Sequence, residues 1–342
     1  MKKLKWPEDF LGKIIEGDCL EVMRQMPDRC INCCVTSPPY WGLRDYGVSG
    51  QLGLEKTPEE FVEKMVGVFS EVRRVLRDDG TLWLNLGDSY ARTGGWASND
   101  GLDGKKRGES GRAKSNCQNG NGQKCPEGLK QKDLVGIPWR VAFALQADGW
   151  YLRSDIIWHK PNPMPESVCD RPTKSHEYIF LMAKAEKYYY DHEAIKENSQ
   201  PTNPSRNGFS DLQEFKRSGN KKRKPARARG VPVDDRGKTA GNVAGSVPWA
   251  GTNRNKRTVW TVGTRPFKEA HFATFPEDLI KPCILAGCPD GGIVLDPFMG
   301  AGTTALVAAK YGRKFAGCEL NPEYAAMARK RVANEQAQGK LF

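Results

Sequence analysis

A proline-rich pentapeptide near the start of the chain carries the first residues that could do chemistry. Thr36-Ser37-Pro38-Pro39-Tyr40 follows the apolar, strand-like run 30–35. Two consecutive prolines fix an extended backbone, so carbonyl oxygens there stay available as hydrogen-bond acceptors. Such acceptors, with the Ser37 hydroxyl, could draw a ring-conjugated amine toward a nucleophilic geometry, and Tyr40 offers a stacking face for an extruded base. Taken alone, the pattern also fits a rigid turn with a core tyrosine.

A second segment, far away in the sequence, has the pattern of a nucleotide-type site. Residues 296–304, Asp-Pro-Phe-Met-Gly-Ala-Gly-Thr-Thr, lie between an apolar strand and a helix, where glycines let a ligand approach the helix N-terminus. Glu319 closes the next strand, a position from which a carboxylate accepts hydrogen bonds from ribose hydroxyls. The turn lacks the third glycine expected for a pyrophosphate, and the sequence contains no Gly-x-x-x-x-Gly-Lys run. These features favour an adenosine ligand without a pyrophosphate.

Apolar patterning predicts the elements that position both segments. Strands are expected at 14–15, 30–35, 81–86, 151–158, 178–182, 292–296 and 314–318, and helices at 19–26, 58–76, 138–145, 276–285, 303–311 and 321–336. A charged turn is expected to join 178–182 to Tyr188-Tyr189-Tyr190 in an antiparallel edge. Two successive βα units near the C-terminus imply an α/β fold with a parallel, doubly wound sheet.

Charge and composition favour a polyanionic partner. The net charge is +12, and each neutralised phosphate releases counterions and strengthens association, so nucleic acid is the expected partner. Most of the excess lies within 204–257, which also fits a solvated basic loop. The residues expected to bind DNA there are Lys221, Lys222, Arg223, Lys224, Arg227 and Arg229. The 38% apolar content, with 36 Gly and 22 Pro, predicts a core interrupted by polar segments.

The ten cysteines do not require disulfides or a metal. Cys30, Cys33 and Cys34 belong to an apolar run and are predicted to be reduced core thiols. Cys117 and Cys125 lie in a polar insert without a nearby His or a second Cys pair, which disfavours a zinc site. No apolar stretch reaches the length of a membrane span, and no apolar signal region follows the N-terminal lysines, so a cytoplasmic protein is expected.

The two segments together resemble the amino-methyltransferases of DNA, the family that forms N4-methylcytosine or N6-methyladenine. Their order, with the Pro-Pro-Tyr motif first and the glycine turn last, is similar to the circularly permuted β group. Further similar stretches are Gly17-Asp18, Asn85-Leu86-Gly87-Asp88-Ser89-Tyr90, Trp158-His159-Lys160-Pro161-Asn162, His176-Glu177-Tyr178 and Phe275-Pro276-Glu277. The resemblance implies a mostly parallel, seven-stranded, permuted sheet, S-adenosyl-L-methionine as cofactor, no metal, and a prokaryotic or phage origin.

The resemblance also assigns roles to single residues. Asp18 would face the adenine amine, Glu319 would hold the ribose, and Thr274 and Phe275 would flank the methionine moiety. The rest of the cofactor site would comprise Thr36, Asp296, Pro297, Phe298, Gly300, Gly302 and Thr303. The target base would be oriented by Ser37, Pro38, Pro39 and Tyr40, with Trp41 as a second stacking surface. Catalysis would be an in-line methyl transfer without a covalent enzyme intermediate.

The first residue of the catalytic motif bears on which base is methylated. A serine there, as in Ser37, resembles the N4-cytosine enzymes, whereas Asp-Pro-Pro-Tyr is the commoner adenine pattern in this group. A hydroxyl can both donate and accept, so Ser37 could contact the cytosine ring N3 as well as the amine. Cytosine N4 is therefore favoured, and adenine N6 by the same mechanism is the alternative.

Other functions are disfavoured by particular residues. A cytosine-C5 enzyme needs a cysteine nucleophile, and Pro282-Cys283 falls inside a predicted helix. Methylation of RNA or of a protein amide is a second rival, against which the basic insert argues. A non-enzymatic DNA-binding protein is disfavoured by two intact motifs. Asp88 is expected to cap a turn. A structural role for His159 and Lys160 is expected at least as readily as a contact with DNA. Tyr188-Tyr189-Tyr190 is expected to pack on the sheet.

The expected organisation is one catalytic domain assembled from residues 1–192 and 266–342. A polar loop at 91–133 and a target-recognition region at 193–265 are both expected to face DNA and to become ordered on it. Double-stranded DNA is the expected partner, and no membrane is involved. A homodimer and a cognate restriction endonuclease are further partners that the residues do not decide.

Overall fold

The computed structural model describes residues 3–43, 45–91, 125, 128–198, 253–264 and 275–339. The chain forms two compact units, one comprising residues 1–195 and 257–342, and the other residues 196–256. Within the described residues, no helix is both long enough and apolar enough to cross a membrane.

The first unit is built on one large sheet. The strands in chain order are β1 (Lys13–Glu16), β2 (Ile31–Thr36), β3 (Leu76–Leu86), β4 (Tyr151–His159), β5 (His176–Ala183), β6 (Glu197–Asn198), β7 (Asn253–Arg254), β8 (Val259–Thr261), β9 (Ile293–Asp296) and β10 (Lys314–Glu319). Eight of them form the sheet in the spatial order β1-β10-β9-β2-β3-β5-β4-β8. Strand β5 is antiparallel to its neighbours β3 and β4, and every other neighbouring pair is parallel. The mostly parallel sheet is as predicted.

Helices cover both faces of the sheet. They are α1 (Cys19–Met23), α2 (Pro58–Val75), α3 (Ile137–Ala147), α4 (Glu277–Gly287), α5 (Thr303–Lys310) and α6 (Pro322–Gly339). In α2, Thr57 caps the N-terminus by accepting a hydrogen bond from Glu60 N at 3.2 Å, and Pro58 occupies the first turn. The apolar side chains of α2 recur every three or four residues and are buried on one face: Phe61, Met65, Val68, Phe69 and Val72.

Two apolar cores form because successive strand residues point to opposite faces. Cys34 of β2 packs into the core that contains residues of α1, α2 and α3. Cys33, one residue earlier, packs into the core that contains residues of α4, α5 and α6. The predicted doubly wound fold is therefore confirmed.

The chain connections diverge between β2 and β9, which lie side by side with Cys34 opposite Leu295. From β9 the chain continues to β10 on one side, and from β2 it continues to β3 on the other. Such a switch point leaves a crevice beyond the carboxyl ends of the two strands, where ligands bind in open α/β sheets. Both chemical motifs of the sequence begin at this edge.

The strand count and one predicted strand need correction. The sheet has eight strands and not seven, because β8 adds to β4 in parallel, with Trp158 opposite Trp260. Tyr188-Tyr189-Tyr190 forms no strand; Tyr190 stacks on Trp83 with ring centroids 6.3 Å apart, and Tyr189 N donates to Asp79 O. Side-chain packing and single backbone contacts hold these tyrosines instead of a strand ladder.

The second unit is narrower than the predicted region 193–265. Residues 193–195 form a 3₁₀ turn in the first unit, and β8 is a strand of its sheet. Described residues of the second unit form the antiparallel pair β6 and β7, in which Arg254 Nε lies 2.9 Å from Glu197 Oε1. Most of the polar loop 91–133 and all of the region 199–252 lie outside the described residues.

Candidate active site

A buried carboxylate joins the two motifs, although 260 positions separate Thr36 from Asp296. The Thr36 hydroxyl donates to Asp296 Oδ1 at 2.6 Å, and the Thr304 hydroxyl donates to Oδ2 at 2.6 Å. Phe298 N also donates to Oδ1, at 3.0 Å. Since Asp296 ends β9 and Thr36 ends β2, these bonds lock the glycine turn against the strand that carries the catalytic motif.

Burial governs the ionisation of Asp296. Loss of water raises its pKa to about 6, while the hydrogen bonds from Thr304 and Thr36 oppose the shift. The side-chain oxygens of Thr36 and Asp296 contact each other inside the protein. Thr303 is buried too, and its hydroxyl accepts a hydrogen bond from Arg331 Nη1 at 2.9 Å. Thr36, Asp296 and Thr303 are thus buried and hydrogen-bonded, and their predicted contact with the cofactor stays a prediction.

The two glycines of the turn have different surroundings. Gly300 has a φ of +52°, and a side chain added there would meet nothing closer than Phe298 O at 4.0 Å. Gly302 has a φ of +80°, and an added Cβ would lie 2.8 Å from the Cβ of Ala328 in α6. Gly300 therefore borders open space, whereas Gly302 lets α6 pack against the start of α5. Beside this packing role, the predicted lining of the cofactor by Gly302 stays a prediction.

Two carboxylates stand at the carboxyl ends of β1 and β10. Glu319 accepts hydrogen bonds from Gly300 N at 2.7 Å and from Asn321 N at 2.9 Å, and burial raises its pKa. Asp18 caps α1 by accepting from Leu20 N at 2.9 Å. Gly17 N donates to Glu319 O at 2.9 Å, which places the two strand ends side by side.

This edge fits the adenosine part of S-adenosylmethionine. Each carboxylate oxygen can accept more than one hydrogen bond, so Glu319 can still receive ribose hydroxyls. Open space beside Gly300 and the partly buried Phe298 provide room and an apolar surface. Pro297 is buried beneath the turn, and Phe275 is partly buried against the core of α4 and α5. Thr274 lies outside the described residues.

The catalytic motif follows β2 directly, and Tyr40 in this motif is contacted both at its hydroxyl and at its ring. The Tyr40 hydroxyl donates to Glu177 Oε2 at 2.6 Å, and Ser37 Oγ lies 3.4 Å from the same hydroxyl. The ring lies close against Gly87, where an added Cβ would be 2.5 Å from Tyr40 Cε2. Burial raises the pKa of Tyr40 well above its usual value and Glu177 raises it further, so the phenol stays neutral. Pro38 is buried, while Ser37 and Pro39 are partly exposed.

Sequence reasoning did not single out Glu177 as a member of the site. Besides Tyr40, its carboxylate accepts a hydrogen bond from Asn85 Nδ2 at 3.2 Å and pairs with Lys160, whose ammonium lies 4.3 Å from the centre of the Trp158 ring. The available signal was an acidic residue at the start of the apolar strand 176–183, because a carboxylate there needs partners. Lys160 thus has the structural role that was considered for it.

Trp41 does not offer a stacking surface. Its side chain is 1% exposed, and its indole N–H donates to Glu55 O at 2.9 Å in the core. The buried position of this ring gives no support to the predicted DNA contact by Trp41.

Asp88, His159 and Cys283 each have a structural environment in the described residues. Asp88 Oδ1 accepts from Gly136 N at 2.9 Å and caps α3, as predicted. His159 Nδ1 lies 3.1 Å from Thr261 Oγ1, between β4 and β8. Cys283 is fully buried inside α4, which rules out its use as a nucleophile for cytosine C5.

The structure describes most of the cysteines singled out in the sequence, but not the cluster of basic residues. Cys33 and Cys34 are buried thiols whose pKa burial raises well above the usual value, and Cys30 is a partly buried thiol, as expected for reduced core cysteines. Among the described residues no group of His, Cys, Asp and Glu could hold a metal, and Cys117 lies outside them. The basic residues at 221–229 also lie outside the described residues.

Comparisons with known proteins give the chain a family. The model of the DNA methylase family matches residues 31–330. The type II methyltransferase M.Cfr9I of Citrobacter freundii is 46% identical over 322 residues, covering 94% of this chain and 88% of that protein. The type II methyltransferase M.SmaI of Serratia marcescens is 46% identical over 320 residues, covering 94% and 90%.

Solved structures share the fold at low sequence identity. PvuII DNA methyltransferase, which is cytosine-N4-specific, superposes with a TM-score of 0.57 at 16% identity, covering 96% of this chain and 95% of that one. TTHA0409 of Thermus thermophilus, solved in complex with S-adenosyl-L-methionine, gives 0.53 at 22% identity, covering 94% and 93%. The chain belongs to the DNA methylase family and is an S-adenosylmethionine-dependent DNA methyltransferase of the group that modifies cytosine N4 or adenine N6.

Proposed function

We propose that this methyltransferase modifies N4 of cytosine at a specific sequence in duplex DNA, acting on a base that is flipped out of the helix. The observation that carries the proposal is the partly exposed Ser37 at the carboxyl end of β2, with its hydroxyl 3.4 Å from that of Tyr40. A hydroxyl at this position can accept from the amine and also contact the ring nitrogen of cytosine. Adenine N6 remains the alternative target.

The residues of the motif act on the amine through hydrogen bonds. Ser37 and the Pro38 carbonyl accept the two amine protons, which opposes delocalisation of the nitrogen lone pair into the ring. Tyr40 stacks against the extruded base and fixes its plane. Because no residue has to form a bond to the base, the rate depends on alignment and on preorganised acceptors. S-adenosylmethionine, when bound, supplies the methyl group.

The cofactor is proposed to lie along the ends of β9, β10 and β1. Phe298 and Gly300 would border it, Glu319 would accept the ribose hydroxyls, and Asp18 would face the adenine amine. Thr274 and Phe275 would flank the methionine part. Thr36 and Asp296 would act indirectly, because their bond fixes the turn that Gly300 belongs to.

Sequence specificity is proposed to come from the region 193–265, together with the polar loop 91–133. The second unit, residues 196–256, falls inside that region, and its basic cluster at 221–229 suits contacts to phosphate. The designation of the relatives as type II methyltransferases supports a cognate restriction endonuclease as a partner. A homodimer in the cytoplasm is a further proposal.

Nucleoside analysis tests the proposed base. Unmethylated DNA is incubated with the protein and S-adenosylmethionine, digested to nucleosides and examined by mass spectrometry. N4-methylcytosine is the expected product. N6-methyladenine would move the assignment to the alternative, and a base methylated at carbon would overturn the mechanism.

A further inference from the structure

Glu177 is connected to the catalytic motif by the hydrogen bond that it accepts from the Tyr40 hydroxyl. Its side chain is only 15% exposed, at the start of β5. Three donors from separate parts of the chain converge on it: the Tyr40 hydroxyl, the Asn85 amide and the Lys160 ammonium. A buried carboxylate with this many partners is fixed in direction as well as in charge.

The partners of Glu177 are themselves anchored. Asn85 is 4% exposed and also donates to Tyr178 O at 3.1 Å, so its amide cannot rotate without losing two bonds. Lys160 lies over the Trp158 ring, and its backbone N donates to Ser175 O at 2.7 Å. Asn85 and Lys160 therefore fix the Glu177 carboxylate in the orientation in which Oε2 faces the Tyr40 hydroxyl.

Stability alone explains this arrangement poorly. A buried ion pair gives little net stabilisation, because the desolvation of both charges offsets their attraction. Lys160 pairs with Oε1, whereas the oxygen that faces the catalytic motif, Oε2, takes the Tyr40 hydroxyl and Asn85. The Tyr40 ring lies against Gly87 and its hydroxyl is bonded to Glu177, so the side chain is held at two points.

We propose that Glu177 is a positioning residue of this methyltransferase, which holds the ring of Tyr40 in its stacking orientation by accepting the hydrogen bond of its hydroxyl. The inference rests on the stacking role given to Tyr40 in the proposed function. The inference adds that methyl transfer depends on the hydroxyl of Tyr40, and that Glu177 acts through this hydroxyl.

A double-mutant cycle between Tyr40 and Glu177 tests the proposal. Tyr40→Phe keeps the aromatic ring and removes the hydrogen bond to Glu177. Glu177→Asp keeps the negative charge beside Lys160 and withdraws the carboxylate from Tyr40 by one methylene. Each single variant should lower kcat by about tenfold, the value of one charge-assisted hydrogen bond, with the Kd for S-adenosylmethionine unchanged. In the Tyr40→Phe background, Glu177→Asp should cause no further loss.

The control is Glu71→Asp, which shortens another partly buried acid, 23% exposed and paired with Arg74 on α2. It should keep wild-type kcat. All variants are assayed below their unfolding temperatures, as measured by circular dichroism. A combined loss near one hundredfold, the product of the two single effects, would overturn the proposal, as would full activity of Glu177→Asp.

The readout separates this proposal from the proposed function. Transfer is measured as radioactive methyl incorporated into DNA, whichever base receives it. If nucleoside analysis finds N6-methyladenine, the cytosine assignment fails and the coupling between Tyr40 and Glu177 can still be observed. If cytosine is methylated and the two losses multiply, the positioning role fails alone.

Discussion

The ring of Tyr40 rests on a residue that has no side chain, which gives a direct test of ring position. Gly87 has a backbone that alanine can adopt, since its φ is not positive. An alanine Cβ there would lie 2.5 Å from Tyr40 Cε2, so the ring must move. Gly87→Ala should lower kcat by about tenfold or more, because small misplacements of a positioning group are costly in rate.

The matched control is Gly67→Ala, at an exposed position of α2 with nothing within 4 Å of the new Cβ. It should leave kcat unchanged and stabilise the helix by about 0.5–1 kcal/mol. Steady-state kinetics and thermal unfolding of both variants make the comparison. Wild-type kcat in Gly87→Ala would show that the ring position is not required.

Asp296 predicts a pH dependence of stability. Its folded pKa of about 6 exceeds the usual 3.8, so between these values the folded protein holds a proton that the unfolded chain has released. Its contribution to stability is therefore complete below the lower value and is lost as pH rises through the higher one. Relative to Asp296→Asn, the wild-type free energy of unfolding should fall by about 3 kcal/mol from pH 3.5 to 7.

Urea unfolding of both proteins at several pH values measures that difference. A constant gap across the range would contradict the prediction, because it would mean that Asp296 titrates alike in the folded and unfolded chains. Groups that do not interact with Asp296 titrate in the same way in both proteins, so their contributions cancel in the comparison.

At the scale of single residues, the sequence predicted those functional residues that stand together in a short motif. It did not predict a functional residue whose partners come from distant segments. Ser37 and Tyr40 were identified because a short run of unusual residues marks them. Glu177 was not, since its role depends on Tyr40, Asn85 and Lys160, which come from three other segments. The burial of Trp41 was missed because spacing does not reveal whether the ring that follows a Pro-Pro turn enters the core.

At the scale of elements, the glycine turn between β9 and α5 predicts different effects for its two glycines. Gly302→Ala places a methyl group against Ala328 and strains a left-handed backbone, so it should destabilise the protein by about 2 kcal/mol or more. Gly300→Ala meets no neighbour and should cost about 1 kcal/mol of backbone strain. Because its methyl group enters the proposed cofactor space, it should weaken binding of S-adenosylmethionine.

Thermal unfolding and isothermal calorimetry with S-adenosylmethionine distinguish these effects. The expected pattern is a larger loss of stability for Gly302→Ala and a larger relative loss of affinity for Gly300→Ala, both measured well below the unfolding temperatures. Unchanged affinity in Gly300→Ala would remove this glycine from the cofactor site.

Elements with strong internal periodicity were predicted well. The helix expected at 58–76 is observed as α2 (Pro58–Val75), since its apolar stripe and its cap are local signals. Strand β8 was missed because it has only three residues and becomes a strand only through its pairing with the distant strand β4. Strand β3 begins at Leu76 and not at 81, because its first residues, Leu76-Arg77-Asp78-Asp79-Gly80, are mostly polar and resemble a turn.

At the scale of the whole molecule, the order of the motifs along the chain follows from the sheet. Strands β2 and β9 are neighbours, so motifs near opposite ends of the sequence meet at one switch point. The bond from Thr36 to Asp296 spans this junction. Two local motifs were thus enough to predict the fold class and the cofactor, whereas the target-recognition region, without a comparable motif, stays a prediction.

The uneven charge of the chain predicts how DNA binding responds to salt. Most of the positive excess lies within 204–257, whereas several exposed cations lie at the amino edge of the sheet, away from the active site. Replacing Lys221, Lys222, Arg223, Lys224, Arg227 and Arg229 by glutamine should weaken binding. If all six contact phosphate, the slope of log K against log salt should become shallower by about 5.

A second set, of four cations, separates local contacts with DNA from the effect of net charge. Lys13, Arg29, Arg77 and Lys314 are exposed at the opposite edge of the sheet, where the strands begin. Their replacement by glutamine should leave the slope nearly unchanged, because exposed charges farther from DNA than about 10 Å are screened at 0.1 M salt. Fluorescence anisotropy over a salt series, with calorimetry for the cofactor, measures both sets. Equal slopes for the two sets would mean that phosphate contacts lie outside 221–229, since counterion release counts only cations that meet the DNA.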